Sequence, residues 1–350
     1  MIIPGIVAAQ VTQGEPPGPP TKFIAVAHDT SPRISVYPWS GAGFGAKFAN
    51  PTTLPASHAY GVSFAPDGSA IAVAHTNSPR ISVYPWSGAG FGTRYANPTT
   101  LPAGNCRGVS FAPDGSAIAV VHVTTPFVSV YPWSGTAFGT RYANPTTLPT
   151  GDGNGVSFAP DGSAIAVVHA ISPGISVYPW SGAGFGTKYA DPTTLPATNG
   201  NGVSFAPDGS AIAVAHNTTP FVSVYPWSGA GFGTRYANPT TIPPSIANGV
   251  SFAPDGSAIA VAHGFAPYVS VYPWSGAGFG TKFADPTTIP PSVPNGVSFA
   301  PDGSAIAVAH HTTPFVSVYP WSGAGFGAKF ANPTTLPTGI GRSVSWSFMP

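Results

Sequence analysis

Histidines are the residues whose type and regular spacing in this chain most directly suggest chemistry. Seven of them recur every 47 residues, at His28, His75, His122, His169, His216, His263 and His310. A shared metal ion would need donors at about 2.0–2.1 Å, and equivalent residues of separate repeats lie too far apart for that. We therefore interpret these imidazoles as structural groups that hydrogen-bond the adjacent loop. The sequence predicts no metal site and no cofactor.

Carboxylates and thiols offer few further catalytic candidates. Glu15 is the only glutamate, and Asp29 and Asp152 belong to different repeats, so the carboxylate pair of a glycosidase is not indicated. Cys106 lies beside Arg107 in a variable loop, where a positive neighbour can activate a thiol, although an inert loop thiol is the simpler interpretation. No unique nucleophile–base pair is visible, and the sequence predicts that the protein is not an enzyme.

Composition narrows the fold and the partners. The chain has 350 residues, of which 7% are charged, with 12 Lys+Arg against 11 Asp+Glu. So few bases argue against nucleic-acid binding, which depends on many phosphate contacts. Glycine and proline number 43 each, while 43% of residues are hydrophobic, which favours turn-rich β structure with a core. No apolar run reaches the roughly 18–20 residues that span a bilayer, and the opening MIIPGIVAAQ lacks the basic region of a signal peptide.

An internal repeat determines the architecture. The segment GVSFAPDGSAIAV starts at Gly61, Gly108, Gly155, Gly202, Gly249 and Gly296, and SVYPWSG occurs seven times at the same 47-residue spacing. A period of this length indicates a solenoid, a propeller or an array. The copy missing from the first half is supplied by SVSWSF, from Ser343, at the other end of the chain. A split repeat of this kind indicates a closed ring.

Each repeat reads as four short strands. GVSFAP and AIAVAH alternate large and small residues with the period of two that strands show, and the Asp-Gly pair between them is typical of a tight turn. ISVYPW and FGTRYANP complete the unit. The sequence therefore predicts an all-β, seven-bladed β-propeller with four antiparallel strands per blade. It occupies residues 14–350, residues 343–348 form the inner strand of the first blade, and residues 1–13 form an apolar arm.

The VSFAPDGSAIAVAH and ISVYPW segments resemble the strands of WD-repeat and YVTN-type propellers. The near-identical blades, with their PWSGAGFG and NPTTLP signatures, also resemble repeat proteins of tailed-phage structural clusters. The resemblance implies that GVSFAP is the innermost strand and FGTRYANP the outermost. Tyr84 and Pro85 stand where WD repeats have their Trp-Asp pair, and no Gly-His pair precedes the first strand. The hydrogen-bonded tetrad of true WD repeats is therefore not expected.

Variation among the seven copies is concentrated in two connections, one after the histidine and one before GVSFAP. In antiparallel blades both connections emerge on the same face, which we call the variable face. Loops on a rigid scaffold commonly carry binding residues, although unconstrained drift is the alternative. The candidate ligand-binding residues are Asp29, Arg33, Tyr60, Arg80, Arg107, Phe127, Phe221, Phe265, Tyr268, His311 and Phe315.

These observations predict a non-enzymatic recognition propeller whose variable face binds a cell-surface glycan or protein. The phage resemblance implies a tail-associated virion component, located on a virion or an extracellular surface, with residues 1–13 contacting other virion proteins. The alternative is a structural or assembly protein of a larger particle. No nucleic-acid partner and no membrane span are expected.

Overall fold

A computed structural model of the protein describes residues 22–196 and 198–348. Those residues form an all-β structure of 21 strands. The strands are β1 (Lys22–His28), β2 (Ile34–Trp39), β3 (Ala59–Phe64), β4 (Ala70–His75), β5 (Ile81–Pro85), β6 (Cys106–Phe111), β7 (Ala117–His122), β8 (Val128–Pro132), β9 (Gly153–Phe158), β10 (Ala164–His169), β11 (Ile175–Pro179), β12 (Gly200–Phe205), β13 (Ala211–His216), β14 (Val222–Pro226), β15 (Ala247–Phe252), β16 (Ala258–His263), β17 (Val269–Pro273), β18 (Pro294–Phe299), β19 (Ala305–His310), β20 (Val316–Pro320) and β21 (Gly341–Phe348). Within this part of the chain, no helix is long and apolar enough to cross a membrane.

The strands form seven antiparallel three-stranded sheets, which are the blades. Blade 1 has the order β21–β1–β2, and blades 2 to 7 each use three consecutive strands, beginning with β3–β4–β5. The first strand of each blade contacts the first strand of the next, and β21 lies between β18 and β3. The ring is therefore closed by the C-terminal strand. The predicted seven-bladed β-propeller is confirmed, as is the inner position of GVSFAP.

The fourth strand of each blade is the point at which the sequence prediction differs from the structure. In blade 1 the outer segment meets β2 through one isolated bridge, Trp39 to Phe44, and through hydrogen bonds from Gly45 N to Pro38 O at 2.8 Å and from Phe48 N to Val36 O at 3.0 Å. Pro38 has no N–H to return a bond to the outer segment. Because each blade repeats this proline, a regular outermost strand does not form.

Neighbouring blades pack small residues against large ones. Ala72 and Ala74 of β4 belong to the same buried cluster as Ile118 and Val120 of β7 in the next blade. This follows from the strand period of two, which places the alanines of AIAVAH on one face and the branched residues on the other. Aromatic edges complete each junction. Trp86, for example, is T-shaped to Phe48 of the preceding blade at 4.9 Å.

The seven histidines at the ends of the middle strands are completely buried. In each blade Nε2 lies 2.9–3.1 Å from the hydroxyl of a serine in the next strand, such as Ser35 for His28. Nδ1 of His28 donates to Thr30 O in the following loop at 2.9 Å. The predicted hydrogen bond from the histidine to the adjacent loop is thus confirmed in this blade.

Candidate functional site

A β-bulge directs one residue of every blade toward the propeller axis. In blade 2, Ala59 pairs with His75 and Gly61 pairs with Ala74, so Tyr60 is the extra residue between them. The same register shift occurs in all seven blades. The bulge residues are Tyr60, Arg107, Asn154, Asn201, Asn248, Asn295 and Arg342. Bulges re-aim side chains, and all seven line one cavity of about 340 Å³, the axial pocket.

The residue after each bulge lets the inner strands approach one another closely. A Cβ on Gly61 would lie 3.0 Å from the Cα of Gly108, and one on Gly202 would lie 3.0 Å from the Cα of Gly249. Such a contact is tighter than nine in ten real Cβ contacts, so a side chain would force the strands apart by a few tenths of an ångström. The glycine that begins GVSFAP therefore keeps the axial pocket narrow.

Asparagines of four consecutive blades form one arc of the pocket. Each donates through Nδ2 to a backbone carbonyl of the next blade at 2.8–2.9 Å. The pairs are Asn154 with Gly200, Asn201 with Ala247, Asn248 with Pro294, and Asn295 with Gly341. Because the amide nitrogens join neighbouring blades and the oxygens of Asn154 and Asn295 already bond Arg107 and His311, the amide oxygens of Asn201 and Asn248 are the groups left to accept a hydrogen bond.

Two arginines flank Tyr60 on the opposite arc, and each is held by an aspartate. Nη2 of Arg342 lies 3.5 Å from Oδ2 of Asp29, and its guanidinium carbon lies 4.9 Å from the centre of the Tyr60 ring. Nη2 of Arg107 lies 3.4 Å from Oδ2 of Asp152. Blades 1 to 3 therefore present two guanidiniums and a phenol, whereas blades 4 to 7 present amides.

The two ion pairs differ in burial. The side chains of Arg342 and Asp29 are 22% and 14% exposed, while those of Arg107 and Asp152 are both 39% exposed. The more exposed arginine also donates to Oδ1 of Asn154, the first residue of the asparagine arc. Since screening by water weakens electrostatic interactions, the guanidinium of Arg342 has the stronger field of the two.

A second ring of residues lies behind the first, at the position immediately after each buried histidine. Asp29 holds Arg342, Asn217 accepts a hydrogen bond from Asn201, and His311 bonds Asn295. The distance from Nε2 of His311 to Oδ1 of Asn295 is 3.0 Å. Each contact is made within one blade, so in blades 1, 5 and 7 this position orients a residue of the axial pocket.

Asn295 determines the tautomer of His311. Its Nδ2 donates to Gly341 O at 2.8 Å, so Oδ1 faces the imidazole and Nε2 must be the donor. Nδ1 is then left as an acceptor. Burial and the nearby Arg342 lower the pKa of His311, and Asp29 acts in the opposite direction. At neutral pH the imidazole is accordingly uncharged.

Four of the sequence-predicted site residues belong to this arrangement. Tyr60 and Arg107 line the axial pocket, and Asp29 and His311 support it. The four asparagines and Arg342 are not among the predicted site residues. Their signal in the sequence is the position immediately before the Gly-Val of each inner strand, or before Ser343 and Val344 in blade 1, where residue types change from blade to blade.

The other predicted residues lie outside the pocket lining. Six of them follow the loop proline with φ of 68–71°: Arg33, Arg80, Phe127, Phe221, Tyr268 and Phe315. Arg33 and Arg80 donate to Pro55 O and Pro102 O in the next blade at 3.3 and 3.0 Å, so these two join blades. Phe265 is 67% exposed. Binding of a ligand by these side chains stays a prediction.

The remaining chemical candidates contribute little to a site. Cys106 is buried and its Sγ donates to Gly104 O at 3.5 Å, and burial raises the pKa of the thiol. This opposes an activated thiolate. Across residues 22–196 and 198–348, no group of three or more His, Cys, Asp or Glu side chains is arranged to hold a metal ion.

Solved structures share this fold at low sequence identity. A Bacteroides fragilis protein assigned as a 6-phosphogluconolactonase superposes with a TM-score of 0.72 at 10% identity, covering 95% of this chain and 99% of its own. A periplasmic gluconolactonase from Pseudomonas aeruginosa gives 0.68 at 16% identity, covering 94% and 100%. Hydrazine synthase from Kuenenia stuttgartiensis gives 0.64 at 14% identity, covering 91% and 99%. No protein-family model and no curated protein matches the sequence.

These comparisons correct the functional prediction. The expectation of a non-enzymatic recognition or assembly protein of a phage particle is wrong, because the structures that share the fold and are named by activity carry the names of enzymes, lactonases and a hydrazine synthase among them. The sequence prediction depended on a side-chain nucleophile, whereas the bulge residues that line the pocket are two arginines, a tyrosine and four asparagines. The resemblance holds at the level of a seven-bladed propeller, and neither the WD-repeat nor the phage comparison gains support.

The predicted partners and location have a different outcome. A cell-surface glycan or protein partner stays a prediction, as does contact with other virion proteins through residues 1–13, which lie outside the described residues. A virion location gains no support from the comparisons.

Proposed function

We propose that this protein is a hydrolase that opens a sugar lactone bound in the axial pocket. The observation that carries the proposal is the convergence of seven equivalent bulge residues on one cavity, where two guanidiniums held by carboxylates face an arc of amides. The fold shared with proteins named as lactonases supports the same reaction class.

The arginines supply positively charged hydrogen-bond donors for the lactone carbonyl oxygen. Attack of water on the lactone carbonyl places negative charge on the carbonyl oxygen, and a preorganised donor that meets this charge lowers the barrier. Asp29 and the face of Tyr60 fix the guanidinium of Arg342 before substrate arrives. Little reorganisation is then required as the charge develops.

The rest of the pocket suits the substrate's hydroxyl groups. Carboxamide oxygens of Asn201 and Asn248 accept from hydroxyls, and the cavity volume is in the range of small-molecule sites. The water that attacks the carbonyl gives up a proton, and a proton is returned to the ring oxygen as the C–O bond breaks, leaving a hydroxy acid.

The direct test is hydrolysis of glucono-1,5-lactone and of its 6-phosphate, followed by acid release and corrected for spontaneous opening. Arg342→Gln removes the charge at the carbonyl and should lower kcat/KM by about 10²-fold, as loss of one oxyanion donor does. Arg94→Gln is the matched control, because Arg94 contacts Asn97 in the outer segment. Turnover no faster than the spontaneous reaction, or equal loss in both variants, contradicts the proposal.

A further inference from the structure

The two ion pairs of the axial pocket are chemically alike and occupy different environments. Both join an arginine bulge residue to an aspartate of a variable loop, at 3.5 Å for Arg342 and 3.4 Å for Arg107. Asp29 comes from the position after a buried histidine, whereas Asp152 comes from the loop before an inner strand. The two ion pairs can therefore have different roles, because they occupy different positions in the pocket.

The pair in blade 1 lies among groups suited to the reacting carbonyl. Arg342 is the less exposed guanidinium and lies over the face of Tyr60. His311 of blade 7 bonds Asn295, whose Nδ2 donates to O of Gly341, the residue before Arg342. A positive charge held by a carboxylate and an aromatic face thus lies on this side, as the negative charge that develops on a carbonyl oxygen requires.

The second pair joins Arg107 of blade 3 to Asp152, in the loop that leads into blade 4, and it continues into the amides. Arg107 donates to Oδ1 of Asn154, and Asn154 donates to Gly200 O. This places Arg107 at the head of the arc in which the amide oxygens of Asn201 and Asn248 remain as acceptors. Its greater exposure makes it a weaker source of electrostatic stabilisation, and a suitable donor to hydroxyl oxygens of bound substrate.

From this asymmetry we infer the orientation of the substrate, and the inference rests on the proposed lactone hydrolysis. The lactone carbonyl points to Arg342 of blade 1, and the hydroxylated carbons extend along Arg107 and the asparagine arc. Asp29 and Asp152 are positioning residues that act through the two arginines. Asp29 positions the arginine that stabilises the transition state, whereas Asp152 positions the arginine that binds the substrate.

The matched substitutions Asp29→Asn and Asp152→Asn test this orientation, because each keeps the side-chain volume and removes one carboxylate. An interaction used only in the transition state affects kcat, and one used equally in both states affects KM. We expect Asp29→Asn to lower kcat about 10- to 100-fold with KM within about twofold. We expect Asp152→Asn to raise KM about 10-fold with kcat within about twofold.

The outcomes separate this inference from the proposed function. Wild-type turnover with the two kinetic effects exchanged, or with identical effects, overturns the orientation and leaves lactone hydrolysis standing. Absence of wild-type turnover on both lactones overturns both. Thermal unfolding checks that each variant is folded. If Asp29→Asn is not folded, the Asp152→Asn variant decides alone, since a loss in kcat with unchanged KM contradicts its assigned role.

Discussion

Mild acid should unfold this propeller, because its folded state contains seven buried, uncharged histidines. Burial lowers the pKa of six of them from 6.5 to about 4: His28, His75, His122, His216, His263 and His310. It also lowers the pKa of His169. In the unfolded chain the imidazoles regain their ordinary pKa. Protons therefore bind the unfolded state preferentially, and stability that is present above pH 6.5 is lost as pH falls toward 4.

The size of the effect follows from the two pKa values. Between pH 7 and pH 5, an imidazole whose pKa falls from 6.5 to about 4 on folding costs about 2 kcal/mol. Six independent groups give about 12 kcal/mol, comparable to the entire stability of a typical domain, about 5–15 kcal/mol. Near pH 5 each group takes up about 0.9 proton on unfolding, so the six give a slope of about 7 kcal/mol per pH unit.

Denaturant unfolding between pH 7.5 and pH 4.5 measures this dependence, with the free energy of unfolding taken at each pH. His75→Gln should reduce the number of protons taken up near pH 5 by about one. Its matched partner is Ser82→Ala, which removes the hydroxyl bonded to Nε2 of His75 and keeps the titrating group. A fall in unfolding free energy of less than about 2 kcal/mol from pH 7 to pH 5 would refute the reasoning.

Two further predictions concern the axis and the closure of the ring. Gly202→Ala should destabilise the fold by about 1–3 kcal/mol through overpacking. Gly296→Ala should cost less, because a Cβ at Gly296 meets nothing nearer than 3.5 Å. Equal unfolding midpoints of the two variants in denaturant would contradict this. Trp346 is 7% exposed and is T-shaped to Trp39 at 5.2 Å, so Trp346→Ala should cost about 3–5 kcal/mol. Trp346→Phe, the residue that the other blades carry, should cost less, and thermal unfolding of both variants decides.

The sequence predicts the fold well because the same strand and turn signals recur in every repeat. The 47-residue period, the Asp-Gly turns and the split first repeat all follow from residue identities. They predict the number of blades, the inner strand and the closure by residues 343–348. The sequence does not predict the irregular outer segment, because the effect of a proline depends on which strand its missing N–H faces. Pro38 disrupts the blade because its missing N–H would have faced the outer segment.

The candidate site was predicted only in part, for a geometric reason. Chemical type alone favours the aromatic and arginine residues that follow the loop proline. The structure instead places the bulge residues at the axis, and whether a residue is bulged depends on the register between two strands. Tyr60 and Arg107 were selected for their chemistry, whereas Asn248 was not. All three occupy the same structural position.

Near-identity of the blades makes the few departures at the axis the origin of chemical asymmetry. A ring of seven asparagines would offer uniform amides with no charge and no preferred direction for a ligand. Arginines in blades 1 and 3 break that symmetry, and their aspartates come from variable loops that the repeated scaffold leaves unconstrained. Because the less exposed pair and the more exposed pair involve arginines two blades apart, the pocket has distinct ends. The proposed hydrolysis of a lactone needs a single bound orientation, and those two substitutions supply the asymmetry on which such an orientation would depend.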